Sequence, residues 1–83
     1  MFYCDDPEYQ IIPDYLFRPD LGWYHSYGIQ AFTNHEGIRK AVHTIHDVSV
    51  LKSHVESTVE LLNAERVSLV HFRDVVEDSL YGI

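Results

Sequence analysis

The sequence predicts an α+β fold: an antiparallel β-hairpin or short meander followed by two packed α-helices. Three observations lead there. Residues 23–46 are dense in aromatic and β-branched side chains, the hydrophobic period then changes from two to nearly four, and a short connection splits the helical part in two. The chain has 83 residues and reads as a single domain. Folding a chain of that length hides only about 60–65% of its surface, so the core is thin.

Residues 1–22 read as an irregular N-terminal arm. Pro7, Pro13 and Pro19 fall six apart, and each is followed by an acid. A proline cannot donate to a ladder, so "YQIIPDYLF" is an edge strand at best. Alternatively it lies across the domain through Ile11, Ile12, Tyr15, Leu16 and Phe17, and "PDLG" is a turn. Prolines at this spacing make the arm a poor partner along its full length, which would leave a hairpin edge open.

The hairpin comes next, over residues 23–46. "WYHSYGIQAFT" is the clearest strand signal, "NHEG" a four-residue connection and "IRKAVHTIH" the return strand. This pairs Trp23–Thr33 with Ile38–His46. With a period of two, Trp23, Tyr27, Ile29 and Ala31 share one face, and Tyr24, Gln30 and Phe32 the other. Both faces of the return strand are mixed, so its buried side stays open.

The helix pair occupies residues 49–80. Leu51, Val55, Val59 and Leu62 form one stripe near Ser49–Asn63, with Lys52, Glu56 and Glu60 on the wet side. Asp47 or Ser49 can cap its start, and Asn63 suits its end. After "AERV", Ser68 caps a helix to Leu80 whose face is Leu69, Phe72, Val76 and Leu80. Neither helix is long enough to stand alone in water, so the two pack together or on the hairpin.

Composition narrows the function classes. At 46% hydrophobic and 23% charged, the chain has globular rather than disordered or membrane composition. The net charge is −7, and no segment carries the basic footprint that binding nucleic-acid phosphates requires. Apolar runs fall far short of the roughly 18 residues of a membrane span, and "MFYCDDPEYQ" lacks a basic leader. The expected location is the cytoplasm. Cys4 is the single cysteine, which excludes an internal disulfide.

"AVHTIHDVSVLKSH" places His43, His46, Asp47 and His54 within twelve positions, which is metal-site chemistry. On a strand, however, residues three apart point to opposite faces, so His43 and His46 diverge. Zinc also asks for three or four ligands. Cys4 sits too near a terminus for a rigid base to be held beside it. Glu77 and Asp78, consecutive on a helix, diverge by about 100°. No catalytic residues, metal or cofactor are expected. One local rule is broken: Asp74, Glu77 and Asp78 crowd the C-terminal half of the last helix, where the macrodipole favours cations.

"YGI" at 27–29, "DVS" at 47–49, "LLN" at 61–63 and "SLVHFRDVVEDSL" at 68–80 resemble a family of small uncharacterised proteins from Gram-positive, clostridia-type bacteria. His71, Asp74, Val75, Val76, Glu77, Asp78 and Leu80 match that family's last helix. Leu69 stands where the family often has proline, and Ser79 where it often has an aromatic. The resemblance covers about residues 27–80 and implies the architecture, with no activity or cofactor.

Two functions follow as expectations. The first is a non-enzymatic protein–protein interaction or regulatory module, with a protein partner or a weak homodimer. Its surface would hold Tyr24, Phe32, His71, Asp74, Glu77 and Asp78. The second is a small-molecule or metal-binding regulator using His43, His46 and His71.

Overall fold

The computed structural model describes residues 7–81. Cys4 and the other residues before Pro7 lie outside the described residues, as does the side chain of Leu80. Three strands, β1 (Glu8–Arg18), β2 (Gly22–His35) and β3 (Ile38–Ser49), precede two helices, α1 (Lys52–Ala64) and α2 (Leu69–Tyr81). The strands form one antiparallel meander in the order β1-β2-β3. The predicted α+β meander and helix pair are thus the observed architecture.

Of the two readings of the N-terminal arm, the edge strand is the one realised: residues 8–18 form a strand at the edge of the sheet. β1 pairs with β2 without a break from Glu8 opposite Phe32 to Arg18 opposite Gly22. Pro13 does not interrupt it because β1 is an edge, and an edge strand can turn a position lacking N–H outward. At the β1–β2 turn the Leu21 N–H donates to the Arg18 carbonyl (3.1 Å), and Gly22 takes φ 77°. The β2–β3 connection is also shorter than expected. His35 pairs with Ile38, leaving Glu36 and Gly37 as a two-residue turn with φ 52° and 81°. Two successive positive φ values give the backbone twist that a tight hairpin needs.

Two bulges settle the face of β3. Opposite the single residue Gly28, between the pairs Tyr27–Ser49 and Ile29–Ile45, β3 inserts His46, Asp47 and Val48. A second shift lies between Ala31–His43 and Phe32–Ala41. Strict alternation therefore fails along β3, which is why its buried side was not readable from the period.

Both helices lie on one face of the sheet, α1 over β1 and β2, α2 chiefly against β3. The core joins Tyr9, Ile29, Ala31 and Val48 of the sheet to Val55, Leu62, Phe72 and Val76 of the helices. Each helix stripe is displaced from its expected line. Thr58 is buried and Val59 only partly so, while Leu51 and Leu69 stay exposed beside the helix starts. Thr58 can be buried because its hydroxyl donates to the His54 carbonyl one turn back (3.1 Å).

α1 ends later than Asn63. The Arg66 N–H reaches the Asn63 carbonyl (3.3 Å), the Val67 N–H reaches that of Leu62 (3.1 Å), and Arg66 is the left-handed residue at φ 52°. This is a Schellman ending, with Val67 turned back onto the core. Asn63 has a different task. Its side-chain amide accepts from the Tyr9 N–H (2.9 Å) and donates to the Tyr9 carbonyl (3.0 Å), imitating a neighbouring strand on the outer edge of β1.

A 14-residue strand is about 47 Å long, and a 13-residue helix about 20 Å. The helices therefore cover only the middle of the sheet, and the molecule measures 50 × 29 × 18 Å. Its radius of gyration, 13.9 Å, exceeds the roughly 12 Å of a compact chain of this length. Both hairpin ends project.

Candidate interaction surface

β3 leaves β2 at Tyr27, so residues 22–26 of β2 pair with β1 alone. On this two-stranded ribbon the register sets Phe17 opposite Trp23 and Tyr15 opposite His25. All four side chains share the face that, further along, carries Ile29 and Ala31 into the core. Here no helix covers them. The rings pack on one another instead: Tyr15 stacks on Trp23 (5.0 Å) and on His25 (4.6 Å), and Phe17 tilts against Trp23 (5.4 Å). Tyr15, Phe17 and Trp23 remain 59%, 56% and 61% exposed. Contact with each other gives the rings a fixed arrangement, so a partner would meet a surface that needs little further ordering.

A wall stands at the inner end of this aromatic floor. Asn63 ties the C-terminal end of α1 to Tyr9, so the N-terminal end points toward the ribbon. Val50 and Leu51, just before α1, are 59% and 62% exposed. The sequence does not display the ladder as one unit, because its halves lie in separate stretches, the N-terminal arm and the hairpin. The signal was present, since a three-residue loop at Pro19–Leu21 aligns Phe17 with Trp23 and Tyr15 with His25.

The six residues expected to form a surface fall into two groups on opposite sides of the sheet. Tyr24 and Phe32 lie on the outer face, away from the helices. The Tyr24 hydroxyl donates to Asp47 Oδ2 (2.8 Å), and the hydrogen bond to that carboxylate is the main cause that raises the Tyr24 pKa. The Phe32 ring lies under the Arg39 guanidinium (4.0 Å), which also reaches Glu8 (3.3 Å). His71, Asp74, Glu77 and Asp78 are exposed on α2, across the sheet. They cannot act with Tyr24 and Phe32 as one patch.

His43, His46 and His71 do not converge either. The His43 ring meets the edge of Phe72 on the helix side (5.4 Å). His46 sits in the bulge and contacts Asp14, and His71 is exposed. Among the described residues no three His, Cys, Asp or Glu side chains are placed to hold a metal ion.

Asp14 is the centre of a different polar arrangement. Its carboxylate, only 8% exposed, reaches from β1 across Gly28 to β3, where Oδ2 accepts the Asp47 N–H (2.9 Å) and Oδ1 lies 3.1 Å from His46 Nδ1. The His46 ring is thereby held at the bulge through Nδ1. Behind it, fully buried Ser26 donates to Asp47 Oδ1 (2.6 Å) and lies 3.1 Å from the Ser49 carbonyl. The left-handed turn at Asp47, φ 55°, is held by these bonds. They pin three strands at the bulge.

A groove of about 410 Å³ between the helices is lined by Ser53, His54, Ser57, Thr58, Leu61 and Ser79. It contains a serine beside a histidine, a pairing that could suggest a nucleophile and its base. The bond directions argue otherwise. Thr58 gives its proton to the His54 carbonyl, so at 2.6 Å it accepts from Ser79 Oγ. His54 Nε2 lies 3.2 Å from the Ser79 carbonyl, which can only accept. Nε2 therefore carries the proton and cannot take one from Ser79, 3.5 Å away. The chain of bonds ties α1 to α2.

A family model, "Family of unknown function (DUF6514)", matches residues 7–82. This chain belongs to that family. No curated protein and no solved structure matches it. The family spans β1 as well as the hairpin and helices, so the strand bearing Tyr15 and Phe17 is part of the shared domain. Among the described residues, no helix is long and apolar enough to cross a membrane.

Proposed function

We propose that this chain, a member of a family of unknown function, is a small non-enzymatic interaction module that docks a protein through the aromatic end of the β1–β2 ribbon. The observation that carries the reading is the ladder of Tyr15, Phe17, Trp23 and His25, stacked, exposed and left without a covering element. A contiguous apolar patch on a small acidic chain is costly to keep in water, and such patches mark binding surfaces. Tryptophan and tyrosine are also the side chains that most often dominate binding energy at interfaces. The exposed acids Asp74, Glu77 and Asp78 lie on α2, which packs against β3 rather than on the ribbon, and disfavour only an acidic surface that reaches α2. A cytoplasmic setting in a clostridia-type bacterium accords with the sequence and is part of the proposal.

The test is site-specific photo-crosslinking in the native host. A photoreactive phenylalanine analogue replaces Trp23 in one variant and Glu56, on the wet face of α1, in another. Discrete protein adducts from position 23, absent from position 56, are the expected outcome. Equal or absent adducts at both positions would refute the reading.

A further inference from the structure

We infer that the partner at this surface is a second copy of the chain, docked about a twofold axis with ladder against ladder; the inference rests on the interaction reading above. Six large apolar side chains gather at this one end of the molecule: Tyr15, Phe17, Leu21, Trp23, Val50 and Leu51. They make a step. The aromatic ribbon face is the floor, and the start of α1 is the riser.

The step has the dimensions of the ribbon itself. A helix with its side chains is about 10–12 Å across, and two sheets pack face to face at about 10 Å. A second ribbon lying on this floor therefore fills the height of the riser, and its tip abuts Val50 and Leu51. A twofold axis makes the contact reciprocal, because the same patch serves both copies. Each ladder then leaves water on the face the helices do not reach.

Charge favours the tip as the meeting point. The chain carries −7 overall, yet the tip from Phe17 to His25 holds only Arg18 against Asp20 as formal charges. Two copies can meet there while the acids of α1 and α2 stay apart. Area sets the strength. Aromatic side chains bury about 150–250 Å² each, so six large side chains more than half exposed offer on the order of 600 Å² per copy. A standard stable interface needs about 800 Å² per partner, which makes this a weak, reversible dimer.

The chain reports on its own association, since Trp23 is the single tryptophan. Sedimentation velocity and Trp23 emission are followed from about 1 µM to about 1 mM, the range of weak complexes. The expected result is a rise toward dimer mass with a parallel blue shift. Leu51→Lys, which changes the riser and leaves the ladder and tryptophan in place, raises the dissociation constant at least about tenfold. Phe17→Lys does the same from the floor, and circular dichroism shows both variants folded. A dimer that survives both substitutions would overturn the inference, because it would use another surface. A strict monomer whose position-23 adducts contain only a different protein would also overturn it, while the interaction reading stands. A monomer with no adducts sinks both. Emission that shifts on phosphatidylcholine vesicles while the chain stays monomeric would assign the patch to a lipid surface instead.

Discussion

Gly28 occupies the point where Asp14 passes from one strand to another. A Cβ built there would lie 2.5 Å from the Ile45 carbonyl, 2.9 Å from Asp14 Oδ2 and 3.2 Å from the His46 Cα. Two of these are backbone atoms that cannot swing aside. Gly28→Ala is expected to cost about 1–3 kcal/mol, as overpacking does, read as a lower urea midpoint. Asp14→Ala leaves the Asp47 N–H without its acceptor, at about 1–3 kcal/mol. Because both changes break the same bridge, the double variant should lose less than the sum; strict additivity would mean that the two residues act independently. Tyr9 makes a second residue-scale case. Its hydroxyl donates to the Val67 carbonyl at 2.5 Å, and burial raises its pKa above the usual 10.0. The folded state thus prefers the neutral phenol. That contribution is complete below pH 10, the unfolded value, and is lost as pH climbs through the raised folded value. Tyr9→Phe should lower stability by about 1 kcal/mol at neutral pH and flatten the decline above pH 10. Tyr24, also raised, leaves part of the slope. A wild-type profile level through pH 11 would contradict this.

The elements divide into those whose own sequence specifies them and those that depend on neighbours. β2 and the two helices were legible because aromatic alternation and four-residue spacing are local properties. β1 was legible only as one of two options, because Pro13 permits a strand there only at an edge and the edge itself is set by the rest of the sheet. β3's buried face was not legible, because its bulges depend on Asp14, Ser26 and Gly28, which belong to other strands. The same limit applied to the candidate site: Trp23 was placed on the correct face, but the ladder exists only once β1 supplies Tyr15 and Phe17. Asn63 shows how an element is completed from outside. A residue expected only to stop a helix instead clamps the first residues of β1. Asn63→Ala should free that end, and amide exchange at Tyr9 should quicken by about tenfold or more for each 1.4 kcal/mol lost locally. Exchange near Trp23, at the far end of the same hairpin, should barely change. Uniform acceleration along β1 would show that Asn63 supports global stability rather than this edge.

For the whole molecule, the balance is between one apolar, nearly neutral end and a net charge of −7. At pH 8 two copies bring net charges of about −7 each toward one another, a repulsion that acts beyond the contact itself. The sequence pI is near 5.1, so this opposition vanishes as pH falls toward that value. The twofold dimer should therefore tighten between pH 8 and pH 5, and concentrated samples should scatter more light near the pI. Salt separates this cause from one local to the contact. At about 1 M salt the screening length is about 3 Å, so the long-range term disappears without any change in protonation. If net charge is the cause, salt at pH 8 should reproduce most of the tightening seen near pH 5. If tightening at low pH persists and salt at pH 8 has no effect, the dependence lies in the ladder itself. Association that is weakest near the pI would contradict a contact made by the neutral end of an acidic chain.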